Sequence, residues 1–180
     1  KSLITSDCEE VVDPDVIFAD PEVNAVLIVT PASTHHALAK RALLAQKHVF
    51  CEKPLTLDVE EAEELCELAE ANNKKLVVGF TFLFNHGIKK LKSLYEVGDL
   101  GSIYYLTSVR THMGLVREDV DVVGDLVPHD ISIMNYILES TPEKVVAVGS
   151  KPLGTERCDV AFISLFYPNG IIGEIHVSWI

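Results

Sequence analysis
The apolar positions form short unbroken runs in the first half of the chain and alternating or helical stripes in the second. Ala25-Val26-Leu27-Ile28-Val29 is continuous and rich in branched residues, the pattern of a strand buried on both faces of a parallel sheet. His48-Val49-Phe50-Cys51 and Leu76-Val77-Val78-Gly79-Phe80 read as two further strands. Between the first two, Ala37, Leu38, Ala42, Leu43 and Leu44 recur at near-helical spacing, with Ser33 or Thr34 as the cap. Between the second and third, Ala62, Leu65, Cys66, Leu68 and Ala69 make the stripe of a longer helix. Asp58 or Thr56 would cap it, and Asn72-Asn73 end it. Upstream, Val16 to Ala19 suggest one helical turn, closed by Asp20-Pro21-Glu22. Strand, helix, strand, helix, strand at this spacing is two βαβ units, hence a parallel sheet with right-handed crossovers.

After Phe84-Asn85 the pattern changes. Ile88, Leu91 and Leu94 mark a helix over 88–97, and Gly98 to Gly101 a loop. Ile103 to Val109 alternates as a strand. Residues 110–123 are irregular and charged, a length of loop that is often functional in a compact domain. A helix follows from about Leu126 to Leu138, then strands over Lys144–Val148, Val160–Tyr167 and Ile171–Trp179. The last two are joined as an antiparallel hairpin by Pro168-Asn169-Gly170. The expected fold class is therefore α/β. The second half of a Rossmann-type parallel sheet occupies 1–83, and part of an α+β domain with a mostly antiparallel open sheet occupies 84–180.

The hydrophobic fraction is 48% and the formal net charge −12. Such acidity disfavours nucleic acid, whose phosphates need clustered Lys and Arg. No run approaches the ~20 apolar residues of a membrane helix, and the opening residues through Asp7, Glu9 and Glu10 do not read as a signal peptide. The absent initiator methionine suggests a processed or partial chain. The four cysteines, Cys8, Cys51, Cys66 and Cys158, lack metal-type spacing. With Cys51 and Cys66 at core positions, they read as reduced thiols of a cytoplasmic protein. No Gly-x-Gly-x-x-Gly lies in these residues.

Two stretches could carry chemistry. Glu52-Lys53-Pro54 directly follows the second strand, and ligands of open parallel sheets bind outside the carboxyl ends of the strands. Lys53 precedes proline, which restricts its backbone to extended angles. The same residues would serve equally as a turn with a solvated ion pair. The second stretch is Gly124-Asp125-Leu126-Val127-Pro128-His129-Asp130. Proline is tolerated in a first helical turn, which puts the helix start at or next to Asp125. If both are helical, Asp125 and His129 share a face, and a carboxylate beside an imidazole fixes its tautomer and orientation. The plain alternative makes Asp125 an N-cap and Asp130 a first-turn acid. His112, in the irregular loop, could touch a substrate; His48, His86 and His176 read as structural.

Taken in order, Thr30-Pro31-Ala32-Ser33-Thr34-His35, Glu52-Lys53-Pro54 and Asp125-x-x-x-His129 resemble the Gfo/Idh/MocA oxidoreductase family, from Ala25 to Trp179. Gly124 to Tyr136 is similar to members that act on nucleotide-linked sugars. The resemblance implies a Rossmann domain followed by an α/β domain with a large open sheet, of which the first βαβ unit and some strands after Trp179 would lie outside this chain. It implies hydride exchange between NAD or NADP and a secondary hydroxyl carbon of a sugar, nucleotide-sugar or polyol. Lys53 would favour the developing alkoxide, His129 would act as general base, and Asp125 would orient it. Thr30, Pro31, His35, Lys53 and Pro54 would line the cofactor, with Glu52 on its ribose or nicotinamide side and the Lys53–Pro54 bond cis. Lys53, Asn85, His112 and His129 would meet substrate. Leu83 and His86 stand where other members have Arg and Pro. The open sheet implies a homo-oligomer. The alternative is a non-catalytic carbohydrate- or dinucleotide-binding relative, or an inactive fragment of such an enzyme.

Overall fold
The structure is a computed structural model that describes residues 8–113, 116–117 and 120–180. The opening seven residues read above lie outside it, as do Gly114, Leu115, Glu118 and Asp119 of the irregular stretch. The chain divides into two compact units, Lys1–Val78 and Gly79–Ile180. The second begins earlier than residue 84 because the 3₁₀ turn Thr81–Phe84 packs on helices of that unit.

In the first unit, three parallel strands lie in the order β1 (Ala25–Ile28), β2 (His48–Cys51), β3 (Leu76–Val78). Helix α1 spans Pro14–Ala19, α2 His35–Leu44 and α3 Val59–Ala71. The Asp58 carboxylate caps α3 by accepting from the Glu60 amide at 3.0 Å. At α2 no side chain caps the helix: a 3₁₀ turn, Ala32–Thr34, leads into it, and the Thr34 hydroxyl donates to the Pro31 carbonyl at 2.8 Å instead. The core is Ile28, Ala39, Leu43, Val49, Cys51 and Leu65. The expectation that β1 is buried on both faces does not hold. Leu27 is 65% exposed, because α2 and α3 pack against the opposite side of this half-sheet. Cys66, expected in the core, is exposed, since only Leu65 and Ala69 of its helix are buried.

On α2 and α3, Glu64 accepts from Lys40 at 2.5 Å and from His36 at 2.7 Å. Lys40 first and His36 second hold its carboxyl below the usual range. Cys51 is fully enclosed, and burial, then the Glu52 charge, pushes its thiol up to about 11. A thiol reacts as thiolate. Alkylation of the folded protein at pH 8 is therefore expected to label exposed Cys66 and spare Cys51, read by peptide mass spectrometry. Equal labelling of the two would contradict the enclosed position.

The second unit is a mixed sheet in the order β4 (Tyr105–Thr111), β7 (Ile172–Ser178), β6 (Val160–Phe166), β5 (Lys144–Ser150). Two ladders are antiparallel, and β4 pairs with β7 in parallel. Helices α4 (His86–Glu96) and α5 (Val122–Leu138) complete it. The core is Val122, Val127, Met134, Leu165, Ile175, Val177 and Trp179, the last 1% exposed. Gly173 lets α5 approach the sheet, because a Cβ there would sit 2.8 Å from Met134 Sδ. Strand β4 begins two residues later than Ile103. Its inward positions after Leu106 are Ser108 and Arg110, polar residues that disguise the alternation.

The greater departure is at α5. Its N-cap is Asp121, whose carboxylate accepts from the Gly124 amide at 2.8 Å, so the helix starts at Val122 rather than near Asp125. Pro128 therefore lies inside the helix, in its second turn. Lacking an N–H, it removes the bond that would reach the Gly124 carbonyl, a loss the helix accommodates within packed surroundings.

Candidate active site
One group of candidate residues, within the first unit, grows out of the carboxyl edge of β1 and β2. These strands pair in parallel, with Ile28 opposite Cys51, so the segments that leave them, Val29–Thr34 and Glu52–Pro54, emerge on the same edge. The Glu52 amide continues the ladder by donating to the Ile28 carbonyl at 2.9 Å. Thr30 and Pro31 are exposed at this edge, while Glu52, Lys53 and Pro54 are half-buried. The Lys53–Pro54 bond is cis. The Glu52 carboxylate turns back and accepts from the Lys53 amide at 3.3 Å. The Thr30 and Thr34 hydroxyls are 2.6 Å apart and hydrogen-bond to each other.

His35 is placed differently from the lining position expected of it. It is 1% exposed, with Nδ1 2.7 Å from the Pro54 carbonyl oxygen and Nε2 2.8 Å from the Thr30 carbonyl oxygen. Both nitrogens are thus engaged inside the protein, and the ring supports the two edge loops from behind.

A second group of candidate residues belongs to α5 and its surroundings within the second unit. Asp125 and His129 are both helical, one turn apart on one face. His129 lies beyond the first turn, where the field of the helix end has faded. Asp125 is not the N-cap; it accepts from Arg117 Nη1 at 3.2 Å. The His129 ring meets Phe82 edge to face, centroids 5.0 Å apart and planes at 71°. Asp130, expected as a first-turn acid, is instead 2% exposed and heavily bonded. Its carboxylate accepts from Arg110 Nε at 2.9 and 2.8 Å and from the Ser108 hydroxyl at 2.7 Å. Arg110 in turn lies over the Phe82 ring, 4.3 Å from its centroid. Phe82, Ser108, Arg110 and Asp130 help to line a cavity of about 290 Å³, together with Thr107 and apolar residues of α4, β4 and α5.

Asn85 and His112 are exposed, but Asn85 is occupied. Its side-chain oxygen caps α4 by accepting from the Gly87 amide at 2.8 Å. The His112 amide donates to the Ser178 carbonyl at 3.2 Å, extending the β4–β7 pairing by one residue. Of the residues read as structural, His48 Nδ1 accepts from the Lys75 amide at 2.9 Å and His176 stacks on Phe162 at 4.2 Å. Among the described residues no cluster of His, Cys, Asp or Glu could hold a metal ion. No described helix is long and apolar enough to cross a membrane.

Arg110, Asp130 and Arg117 were not legible as partners. Arg110 lies twenty residues before Asp130, and only knowledge that β4 runs past α5 would have joined them. Removing one partner of a buried ion pair strands the other charge. Asp130→Ala is therefore expected to lower stability by about 3 kcal/mol, the low end of the usual range because Arg110 keeps some solvent contact. Thermal unfolding would measure it, and an unchanged midpoint would show the pair to be dispensable.

Comparison with known proteins bears on both units. The model of the oxidoreductase family with an NAD-binding Rossmann fold matches residues 4–80. The GFO/IDH/MocA C-terminal domain matches residues 88–180. The chain is 31% identical over 176 residues to myo-inositol 2-dehydrogenase of Thermotoga maritima, covering 92% of this chain and 53% of that protein. It is 34% identical over 158 residues to UDP-N-acetylglucosamine 3-dehydrogenase of Acidithiobacillus ferrooxidans, covering 87% and 49%. A solved inositol dehydrogenase homolog of Azotobacter vinelandii, complexed with NADH and myo-inositol, superposes with a TM-score of 0.84 at 26% identity, covering 92% and 47%. The chain thus spans about half the length of the curated relatives it matches. With both of its units matched by the domains of one family, in the family's order, the chain belongs to the Gfo/Idh/MocA oxidoreductases.

Proposed function
We propose that the protein of which this chain forms part is an NAD-dependent dehydrogenase that oxidises a secondary hydroxyl of a polyol, sugar or nucleotide-sugar. The observation that carries the reading is Lys53, half-buried directly past the carboxyl end of β2, where a parallel sheet receives its ligand. The donor set fits a dinucleotide. The exposed Thr30-Pro31 backbone and the Glu52-Lys53-Pro54 turn offer polar groups along one sheet edge, and the Glu52 carboxylate is a hydroxyl acceptor suited to the ribose or nicotinamide side. The nicotinamide, when bound, supplies the hydride acceptor. NAD rather than NADP is the choice favoured by the relatives, one of which was solved with NADH.

The chain's own residues handle the rest. Alcohol oxidation sheds a proton from oxygen as hydride leaves carbon. The Lys53 ammonium favours the negative charge that develops on that oxygen. His129 takes the proton, and Asp125, one turn earlier on the same helix face, keeps the imidazole oriented. Arg117 holds Asp125. Asn85 and His112 contribute to the substrate side from exposed positions. The substrate class follows the relatives, a myo-inositol and a UDP-N-acetylglucosamine dehydrogenase.

Self-association through the open face of the second sheet completes the proposal. Tyr105, Val109, Val148 and Phe162 lie on one face by strand register and are exposed, an apolar patch of the kind that marks an interface. Neither nucleic acid nor membrane is a partner, and the thiols are those of a cytoplasmic protein. Calorimetric titration of the intact protein with NADH, followed by a turnover screen of inositols and UDP-sugars, tests the reading. Absence of NADH binding would refute it, and binding without turnover of any such alcohol would favour a non-catalytic relative.

A further inference from the structure
We infer that His35 is a positioning residue: a ring carrying N–H on both nitrogens, it staples the loop after β1 to the loop after β2 and so sets where Lys53 stands. The inference rests on the role proposed for Lys53. It begins with hydrogen-bond inventory. Nδ1 of His35 lies 2.7 Å from the Pro54 oxygen and Nε2 lies 2.8 Å from the Thr30 oxygen. Both partners are backbone carbonyls, which only accept. A neutral imidazole has one N–H and one lone pair. In a neutral ring one contact would press a nitrogen lone pair against an oxygen lone pair within hydrogen-bond distance. Turning the ring over does not help, because it would point carbon atoms toward the carbonyls. Only the doubly protonated ring makes both bonds, and such charge-assisted bonds are roughly twice as strong as neutral ones.

The position of the ring gives the bonds their effect. The β1–β2 ladder ends with the Glu52 amide on the Ile28 carbonyl. Past that point the two loops diverge from regular pairing, and His35 links them by bonding one carbonyl of each. On the β1 side the linkage is firm. The Thr30 and Thr34 hydroxyls bond each other, and Thr34 bonds the Pro31 carbonyl. His35 opens α2, a helix whose Ala39, Ala42 and Leu43 are enclosed in the core. The ring is thus anchored to a helix packed into the core of the unit, and it ties the residue next to Lys53 to that helix. A charged group displaced by about 1 Å can lose on the order of 100-fold in rate.

The test uses the intact enzyme. His35→Gly removes the ring and leaves room for a methylimidazole. We expect kcat to fall about 100-fold, in keeping with misplacement of a catalytic group, with a smaller change in KM for the alcohol. Added 4-methylimidazole, which can carry N–H on both nitrogens, is expected to restore turnover several-fold. Its isomer 1-methylimidazole has the same volume but only one nitrogen able to carry hydrogen, and it is expected not to. Equal rescue by the two isomers would reduce His35 to space filling and overturn the staple, as would wild-type kcat in the glycine variant. If that variant does not fold, the ring ¹⁵N resonances of the wild-type protein decide: two protonated nitrogens support the staple, and one overturns it. The Lys53 reading fails separately. Wild-type turnover in Lys53→Met, with a doubly protonated His35 and an impaired His35→Gly, would leave the staple standing and remove the lysine from the chemistry.

Discussion

Lys53→Met in the intact enzyme is expected to lower kcat about 100- to 1000-fold, the usual consequence of deleting a preorganised group that meets developing charge. Methionine keeps the unbranched stem and removes only the ammonium, so the loop that carries it need not rearrange. The backbone around it is held independently of the side-chain charge, by the Glu52 carboxylate on the Lys53 amide and by His35 on the Pro54 carbonyl. The variant should therefore bind the dinucleotide with little change, since the edge groups of Thr30, Pro31, Glu52 and Pro54 remain. The distinguishing result is a fall in kcat with KM for the dinucleotide nearly constant, measured by steady-state formation of NADH. Loss of dinucleotide affinity with normal turnover at saturation would instead make the lysine a binding group.

His129→Ala is expected to cost on the order of 100- to 10,000-fold in kcat/KM, the range for removal of a general base. Its signature is in the pH profile. The limb that reports protonation of the base should disappear from kcat/KM, and turnover should rise with hydroxide instead. Asp125→Asn should have a smaller effect, because it keeps the size and one acceptor oxygen while weakening the orientation of the ring. The Phe82 ring bounds His129 on one side through an edge-to-face contact and is itself held under Arg110. A residual limb in His129→Ala, unchanged from wild type, would assign the proton transfer to another group.

The parallel half-sheet could be read from sequence because each of its strands is a short apolar run and each of its helices carries one stripe. That grammar places the carboxyl edge, and with it Thr30 and Lys53, without any coordinates. It overstated the burial of β1, since continuous apolarity cannot say whether the second face is covered within these residues. In the second unit the strands of the hairpin were equally clear, but β4 was misplaced because Ser108 and Arg110 face inward to meet Asp130. A buried polar network reads as a surface in a pattern of apolar residues. The start of α5 was misjudged for a related reason. Pro128 is a strong marker of a first turn, and here packing outweighs its local preference. With the helix beginning at Val122, Asp125 and His129 are both helical, the condition under which they share a face. What no pattern could supply was the partner of each: Arg117 for Asp125, Arg110 for Asp130, and two carbonyls for His35.

The distribution of chromophores has a practical consequence. Tyr95, Tyr104, Tyr105, Tyr136, Tyr167 and the single tryptophan, Trp179, all follow Val78. Trp179 is enclosed in the core between α5 and the mixed sheet. Ultraviolet emission therefore watches only the second unit, while the first, which holds neither tyrosine nor tryptophan, is optically dark. During denaturation, a loss of far-ultraviolet dichroism that precedes any red shift of emission would belong to the first unit, chiefly its helices α2 and α3, and the two signals would coincide only if both units melted together.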